Sequence, residues 1–176
     1  MTEIEDRDHV DRFLEEHDLP GVDPEVEGIV DRINGLRRRF HAMADETLAE
    51  LGLAEGAWKV LTTLRFAGPP YRRSVGKLAK RAELSSGAMT NRLDRLETAG
   101  LIRRLPDPND RRGVVVELTD AGSKAYEEST AAQAAKEALI ASALNAKEKD
   151  ELNNLLRRIM LVAEQLDAKH SPERAE

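Results

Sequence analysis

The chain has 176 residues, of which 40% are hydrophobic and 34% are charged, and its formal net charge is -6. This composition suits one compact domain with a strongly polar surface. No apolar stretch is long enough to cross a membrane and the first residues are acidic, so we expect no secretory leader, no membrane partner and a cytoplasmic location. The absence of cysteine excludes disulfide bonds, thiol catalysis and cysteine-ligated zinc.

The charge is distributed unevenly along the chain. Residues 71–118 carry eleven Lys and Arg against six Asp and Glu, a net charge of +5, so the remainder of the chain carries -11. An acidic protein repels nucleic acid as a whole, whereas a basic segment attracts phosphate. The middle of the chain is therefore where a function is expected.

The first part of the chain contains three helical patterns. A short one lies within residues 1–20 and stops before Pro20, and its role is left open. A long helix begins at Asp23-Pro24-Glu25, because Asp accepts hydrogen bonds from free amides and Pro is tolerated in the first turn, and Gly52 ends it. A third helix is predicted from about Glu55 to Ala67.

Two long helices carry apolar seams that indicate packing along another helix. The last helix is preceded by Asn145 and Glu148, which form a capping pair at the right spacing. The seam of the first long helix is Ile29, Ile33, Leu36, Phe40, Met43 and Thr47, and that of the last helix is Leu152, Leu155, Ile159, Val162 and Leu166. Both seams need a partner helix.

The basic segment contains two short helices followed by a hairpin. Helices are predicted at Val75–Arg81 and, after a short turn, from the good helix caps Ser85 and Ser86 onwards, an arrangement typical of a helix-turn-helix. The β-prone runs Leu101–Leu105 and Val114–Leu118 then flank a long charged tip. A helix-turn-helix followed by a hairpin is a winged helix, so we predict a mainly α fold with a small β-hairpin wing.

The second helix of the pair is predicted to read the major groove of DNA. At 100° per residue Met89, Leu93 and Leu96 face the core, so the intervening residues point outwards. Small residues allow close approach, hydroxyl groups contact phosphate, Asn pairs with adenine, and Arg pairs with guanine or phosphate. The predicted contacts of this recognition helix are Ser86, Gly87, Thr90, Asn91 and Arg95.

The hairpin tip, Pro106–Gly113, holds two adjacent arginines. At least one of Arg111 and Arg112 can project into the narrow, negative minor groove, with Asp107 and Asp110 orienting its guanidinium. Alternatively, the tip is a solvated loop with local ion pairs. Its position after a recognition helix favours DNA.

Four segments resemble the MarR family of bacterial transcription regulators. They are Ser85–Glu97, Gly100–Arg104, Asp107–Gly113 and Leu118–Gly122, within a resemblance that covers about residues 25–166. It implies a winged helix-turn-helix dimerised through its N- and C-terminal helices, which agrees with the two unpaired seams. It also implies Asp110 as the wing aspartate and Arg112 as the minor-groove arginine, with Arg111 as second choice.

By the same resemblance, we expect a sequence-specific transcription regulator that acts as a repressor. It would bind a palindromic DNA operator as a homodimer and be released by a small anionic or aromatic effector. The implied domains are an N-terminal extension with a short helix (1–22), a dimerisation helix (23–53), the DNA-binding domain (54–120), C-terminal dimerisation helices (121–168) and a disordered tail (169–176).

Residues 68–71 and the start of the recognition helix resemble the urate-responsive branch of this family. That branch uses a Trp in an extra N-terminal helix, an acid in the second core helix, and two arginines, which fall on Arg92 and Arg104. Lys59 stands at the acid position and no Trp precedes Trp58, so two of the four signature residues depart. An effector pocket of Trp58, Lys59, Arg92 and Arg104 would attract an anion. Alternatively, the cations are solvated or contact phosphate, and Trp58 packs in the core.

Two other classes of function are alternatives to sequence-specific DNA binding. An enzyme is not expected, because the sequence has no glycine-rich phosphate loop and no Ser, His and acid set that the helices bring together. The histidines lack ligand spacing, so neither a metal site nor a cofactor is predicted. A winged helix that bends DNA or contacts proteins would lack base preference, whereas the outward Asn91 and Arg95 favour sequence reading.

Overall fold

The computed structural model describes residues 7–82, 86–108 and 110–170, and the side chains of these residues except Ser86, Arg111, Arg112 and His170. Within these ranges the chain forms seven helices and three strands. The helices are α1 (His9–Glu16), α2 (Pro24–Glu50), α3 (Glu55–Arg65), α4 (Val75–Ala82), α5 (Ser86–Thr98), α6 (Asp120–Ala141) and α7 (Ala146–His170). The strands are β1 (Arg72–Ser74), β2 (Ile102–Asp107) and β3 (Asp110–Leu118). The predicted fold class, mainly α with a β wing, is confirmed.

The starts of α2 and α7 are capped by hydrogen bonds that the sequence predicts. The side chain of Asp23 accepts a hydrogen bond from the Glu25 amide at 2.9 Å and Pro24 occupies the first turn of α2. At the start of α7, Asn145 and Glu148 exchange hydrogen bonds between side chain and amide at 2.7 and 3.1 Å. These caps satisfy amides that the first helical turn leaves unpaired. The predicted turn at residues 83–84 and the cap Ser85 lie outside the described residues. The predicted disordered tail 169–176 begins too early, because Lys169 and His170 belong to α7, and its remainder, 171–176, lies outside the described residues.

The chain divides into two compact units, residues 1–133 and 134–176, with the boundary inside α6. The hydrophobic core belongs to the first unit and joins α3, α4 and α5 to the sheet. Its most deeply buried members are Val60, Leu61, Leu64, Leu78, Met89, Leu93, Ile102 and Val116. This core fixes the position of α5 relative to the wing. No helix in the described ranges has the length and apolarity needed to cross a membrane.

The wing is a three-stranded antiparallel sheet in the order β1-β3-β2. The sequence predicts only a two-stranded hairpin, and β1 is an additional strand that it does not indicate. The expectation of a long tip at Pro106–Gly113 was also wrong, because β2 continues to Asp107 and β3 resumes at Asp110. Proline has no backbone N–H to donate to a neighbouring strand. Pro106 is accommodated because β2 is an edge strand. Gly100, with φ of +71°, makes the turn from α5 towards β2.

Helix α1 packs on α2 at two glycines of α2. A Cβ on Gly28 would lie 3.5 Å from the Leu14 side chain, and a Cβ on Gly35 would lie 3.3 Å from the His9 ring. Both glycines are buried, and Val10 of α1 is only 1% exposed. The short extension is thus docked on the long helix where its surface lacks side chains.

Two ion pairs also stabilise the contact between α1 and α2. Arg32 donates to Asp8 at 2.9 Å and to Asp11 at 2.5 Å. Asp8 and Asp11 also form the capping box of α1. Partial burial alone would raise the pKa of Asp8, but hydrogen bonds from the Asp11 amide and from Arg32 lower it to about 2.

Candidate nucleic-acid interface

Helix α5 has one buried and one exposed face, as its sequence predicts. Met89, Leu93 and Leu96 are 0%, 1% and 3% exposed and belong to the core. The opposite face exposes Gly87, Thr90, Asn91 and Arg95. The predicted orientation of the helix is therefore correct, and the contribution of these four residues to DNA binding stays a prediction. The side chain of Ser86 lies outside the described residues.

Arg104 of β2 connects the wing to the recognition helix α5 through hydrogen bonds and ion pairs. Its Nη1 donates to Glu97 and its Nη2 pairs with Asp94, both at 2.7 Å, and its amide donates to the second oxygen of Glu97 at 2.9 Å. Burial alone would lower the pKa of Arg104, but the two carboxylates raise it above its ordinary value. Charge-assisted hydrogen bonds of this kind are stronger than neutral ones, so they fix the position of α5 relative to β2.

Helix α4, which packs on α5, and strand β1 carry exposed basic side chains. Lys77, Lys80 and Arg81 of α4 are exposed, and so is Arg72 of β1. The first helix of a helix-turn-helix crosses the phosphate backbone, so cations suit this position. All four residues lie in the basic segment of the sequence, but the sequence does not assign Arg72 to the sheet, because a three-residue strand has too little alternation to detect.

A second cluster, which we call the wing triad, consists of Arg72, Glu117 and Arg103 on β1, β3 and β2. Glu117 is only 5% exposed. One of its carboxylate oxygens accepts hydrogen bonds from Nε of Arg103, at 2.6 Å, and from Nη2 of Arg103, and the other accepts from Nε of Arg72. Burial alone would raise the pKa of Glu117, but the two guanidinium groups lower it below its usual value. No motif or spacing in the sequence indicates this cluster.

The end of the wing is tightly packed around Gly113. A Cβ there would lie 2.9 Å from the Cβ of Asp107 and 3.0 Å from that of Asp110, so only glycine fits between the two acidic residues. Asp110 is exposed. The side chains of Arg111 and Arg112 lie outside the described residues, and their insertion into a minor groove stays a prediction.

Trp58, predicted either as a pocket wall or as core, faces α6. Its Nε1 donates to Ser129 Oγ at 3.0 Å, and its ring stacks on Tyr126 with the centroids 6.5 Å apart. Ser129 is 2% exposed and donates in turn to the Tyr126 carbonyl at 2.8 Å. These contacts favour the interpretation of Trp58 as part of the packing between α3 and α6.

The other three residues of the predicted effector pocket do not form one cluster. Lys59 pairs with Glu55 on its own helix at 2.5 Å, and this pair, with a smaller effect of the Arg92 charge, lowers the pKa of Glu55. Arg92 packs on Gly56, where a Cβ would lie 1.7 Å from its Nη1. Arg104 meets α5 at Asp94 and Glu97, which lie on the far side of that helix from Arg92 at 3.6 residues per turn.

A cavity of about 460 Å³ lies beside α5 and includes one residue of that predicted pocket. Asn91, Arg92 and Arg95 line it from α5, and Leu53 and Ala57 contribute apolar surface. A pocket with apolar walls and a few polar groups is typical of a small-molecule site. The periodicity of the sequence does not predict this cavity, because the cavity depends on how the start of α3 approaches the end of α5.

Comparisons with known proteins agree with this architecture. The MarR family model matches residues 53–114. The HTH-type transcriptional regulator PecS of Dickeya dadantii is 30% identical over 156 residues, which is 84% of this chain and 94% of PecS. The ligand-free crystal structure of Escherichia coli MarR is 30% identical with a TM-score of 0.63, over 73% of this chain and 93% of MarR. A crystal structure of a cysteine-to-serine mutant of MarR complexed with operator DNA is 29% identical with a TM-score of 0.56, over 77% and 95% of the two chains.

These relatives bear on the alternative that the chain is an enzyme. PecS and MarR are regulators and not enzymes, in agreement with the prediction. Among the residues that the structure describes, no group of His, Asp and Glu could hold a metal ion. The similarity to PecS and MarR extends over nearly their whole lengths, and the chain therefore belongs to the MarR family of transcriptional regulators.

Proposed function

We propose that this chain is a repressor that binds a palindromic operator as a homodimer and leaves it when a small anionic or aromatic ligand binds. The observation that carries the proposal is the outer face of α5, where Thr90, Asn91 and Arg95 are exposed opposite a buried apolar face. An amide and a guanidinium on one helix face suit adenine and guanine edges in the major groove. The complex of mutant MarR with operator DNA supports this interpretation.

The first experiment is a selection from random duplexes with the parent protein, which we expect to return a palindrome. On the selected duplex, Arg112→Ala should lose about 1–3 kcal/mol of binding free energy at fixed salt. Arg157→Ala is the control, because it removes the same charge from an exposed position of α7 outside the basic segment. A selection without any preferred sequence would favour an architectural module, and equal affinities of both variants would contradict the assignment of Arg112.

The homodimer is supported by apolar rows that lie exposed on two helices. In α2, Ile29, Ile33 and Leu36 are 51%, 38% and 46% exposed, and in α7, Leu155 and Ile159 are each 47% exposed. Rows with this spacing are typical of helices that pack on a partner. A two-fold dimer would present two copies of α5 at a separation of roughly 34 Å, one turn of DNA. Ile159→Glu should shift sedimentation towards the monomer and weaken operator binding.

The cavity beside α5 is the position that we propose for the effector. An anion bound there would pair with Arg92 and Arg95, and would thereby engage the helix that reads DNA. A ligand that binds only the DNA-free state releases the operator by mass action. Binding of an anion in this cavity does not require all four residues of the urate signature, because Arg92 lines the cavity and Arg104 does not.

A mobility shift with urate, salicylate and a panel of other aromatic anions tests this position. Arg92→Ala should keep operator binding and lose release. Lys59→Ala is the matched control, since Lys59 pairs with Glu55 and does not line the cavity. Release that survives Arg92→Ala would place the effector elsewhere.

A further inference from the structure

We propose that Glu117 is a positioning residue that holds Arg72 and Arg103 in place to bind a phosphate of the DNA backbone beside the wing. This inference rests on the proposed DNA-binding function. It adds a phosphate contact on the outer face of the sheet to the DNA contacts predicted for the recognition helix and the wing tip.

The register of the sheet puts the wing triad on one line across the strands. Arg72 of β1 and Arg103 of β2 are both paired directly with Glu117 of β3. Glu117 lies on the central strand, so a single carboxylate reaches both arginines, one with each oxygen. Because both guanidinium groups bind the same carboxylate, they are held close together.

The triad keeps a net positive charge and unused donors at the surface. The side chains of Arg72 and Arg103 are 40% and 60% exposed, whereas that of Glu117 is 7% exposed. Arg72 uses Nε and Arg103 uses Nε and Nη2 on the carboxylate, and within the described part of the chain the structure gives the remaining guanidinium nitrogens no partner. A guanidinium held on one edge presents the other edge in a fixed orientation, which suits a phosphate.

The distance from the triad to the end of the wing favours backbone phosphate as the bound anion. Arg103 lies four residues before Asp107, the last residue of β2, so the separation is roughly 13 Å at about 3.3 Å per residue. The minor groove is only about 7.5 Å deep. A wing tip inserted into the groove therefore leaves Arg103 outside it, from where its long side chain can reach the phosphates that border the groove.

A purely structural role is the alternative, in which the triad only ties the three strands together. The two roles differ in the salt dependence of DNA binding, since each phosphate contact contributes about 0.9 to the slope of log affinity against log salt. Loss of sheet stability lowers the melting temperature and leaves the slope of the folded protein unchanged.

The experiment measures fluorescence anisotropy of a labelled duplex, carrying the sequence that the parent protein selects, between low and moderate salt. The double variant Arg72→Gln/Arg103→Gln should reduce the slope by about 0.9 per subunit, or about 1.8 for a dimer, and each single variant should reduce it by up to that amount. The control Arg157→Gln, on α7, should keep the parent slope. Parent slopes in both arginine variants would overturn the inference. Failure of the parent protein to bind any duplex would instead refute the proposed function.

Glu117→Gln tests the positioning role separately. The substitution makes each subunit more positive, so affinity should rise if Glu117 merely reduces the positive field. If Glu117 orients the arginines, affinity falls about threefold to tenfold, because two long side chains must now be ordered on binding. Tighter binding by Glu117→Gln would overturn the positioning role. Should this variant fail to fold, the two single arginine variants still decide whether phosphate is bound.

Discussion

Gly122→Ala is predicted to destabilise the protein although it puts a better helix former into α6. Gly122 is buried in the first turn of α6, where its amide donates to Thr119 Oγ1 at 3.0 Å. A Cβ at this position would lie 2.0 Å from the Leu101 carbonyl oxygen and 2.8 Å from Leu118 Cδ1. Leu101 directly precedes β2, and Leu118 is the last residue of β3. The contact therefore sets how closely α6 approaches the base of the wing.

The magnitude follows from two opposing terms. Relief of the overlap requires a backbone shift, and overpacking of this kind costs about 1–3 kcal/mol. Alanine returns up to about 1 kcal/mol through helix propensity. We expect a net loss of about 1–2 kcal/mol, which lowers the melting temperature of a chain of this size by about 2–8 °C.

Gly76→Ala is the matched control for this prediction. Gly76 is also helical, in α4, and a Cβ there meets nothing within 4 Å. The same substitution should leave stability unchanged or raise it by up to about 1 kcal/mol. Both variants are compared with the parent by thermal unfolding at one protein concentration, since a dimer melts in a concentration-dependent way. If Gly122→Ala melts at or above the parent temperature, the close approach to Leu101 is not a constraint on stability.

Two further predictions concern the packing around the first unit. Ser129→Ala leaves the Trp58 indole N–H without its acceptor at 3.0 Å, so we expect a loss of about 1–2 kcal/mol and a shift in the emission of the single tryptophan; unaltered emission would contradict the contact. The stabilisation that Asp8 gives to α1 should be complete above about pH 4 and disappear as the pH falls towards 2, because its pKa is lowered from 3.8 to about 2 in the folded state. The difference in melting temperature between the parent and Asp8→Asn should therefore be constant from pH 7 to about 4 and shrink below that, and a constant difference down to pH 2 would refute it.

The sequence predicts those parts of the fold that local hydrogen bonds and periodicity determine. Asp23 and the pair Asn145 and Glu148 begin their helices because each satisfies amides within its own first turn. The orientation of α5 follows from the spacing of Met89 and Leu93. Strand β1 is different, because its three residues are held only by pairing with β3, far along the chain, and no local pattern encodes that pairing.

The effector pocket shows a second limit of sequence reasoning. A resemblance assigns Arg92 and Arg104 to one pocket by position, but it does not specify which acids each arginine meets. In this chain Asp94 and Glu97 lie on the face of α5 that meets β2 and engage Arg104. Gly56 leaves room for the guanidinium of Arg92 on the other side of the helix. The pairing partners, rather than the arginines themselves, decide which cation lines the cavity.

The distribution of acids within the basic segment explains how a chain of net charge -6 can present a DNA-binding surface. Three of the six acids in residues 71–118, namely Asp94, Glu97 and Glu117, are hydrogen-bonded to arginines of the sheet. Glu117 is buried, so its charge is covered by Arg72 and Arg103 and contributes little repulsion towards phosphate. Such acids lower the net charge of the segment but order its cations, and an ordered guanidinium loses less entropy on binding a phosphate than a mobile one. The modest net charge of +5 therefore underestimates how strongly this surface attracts DNA, and the arrangement of the charges matters more than their sum.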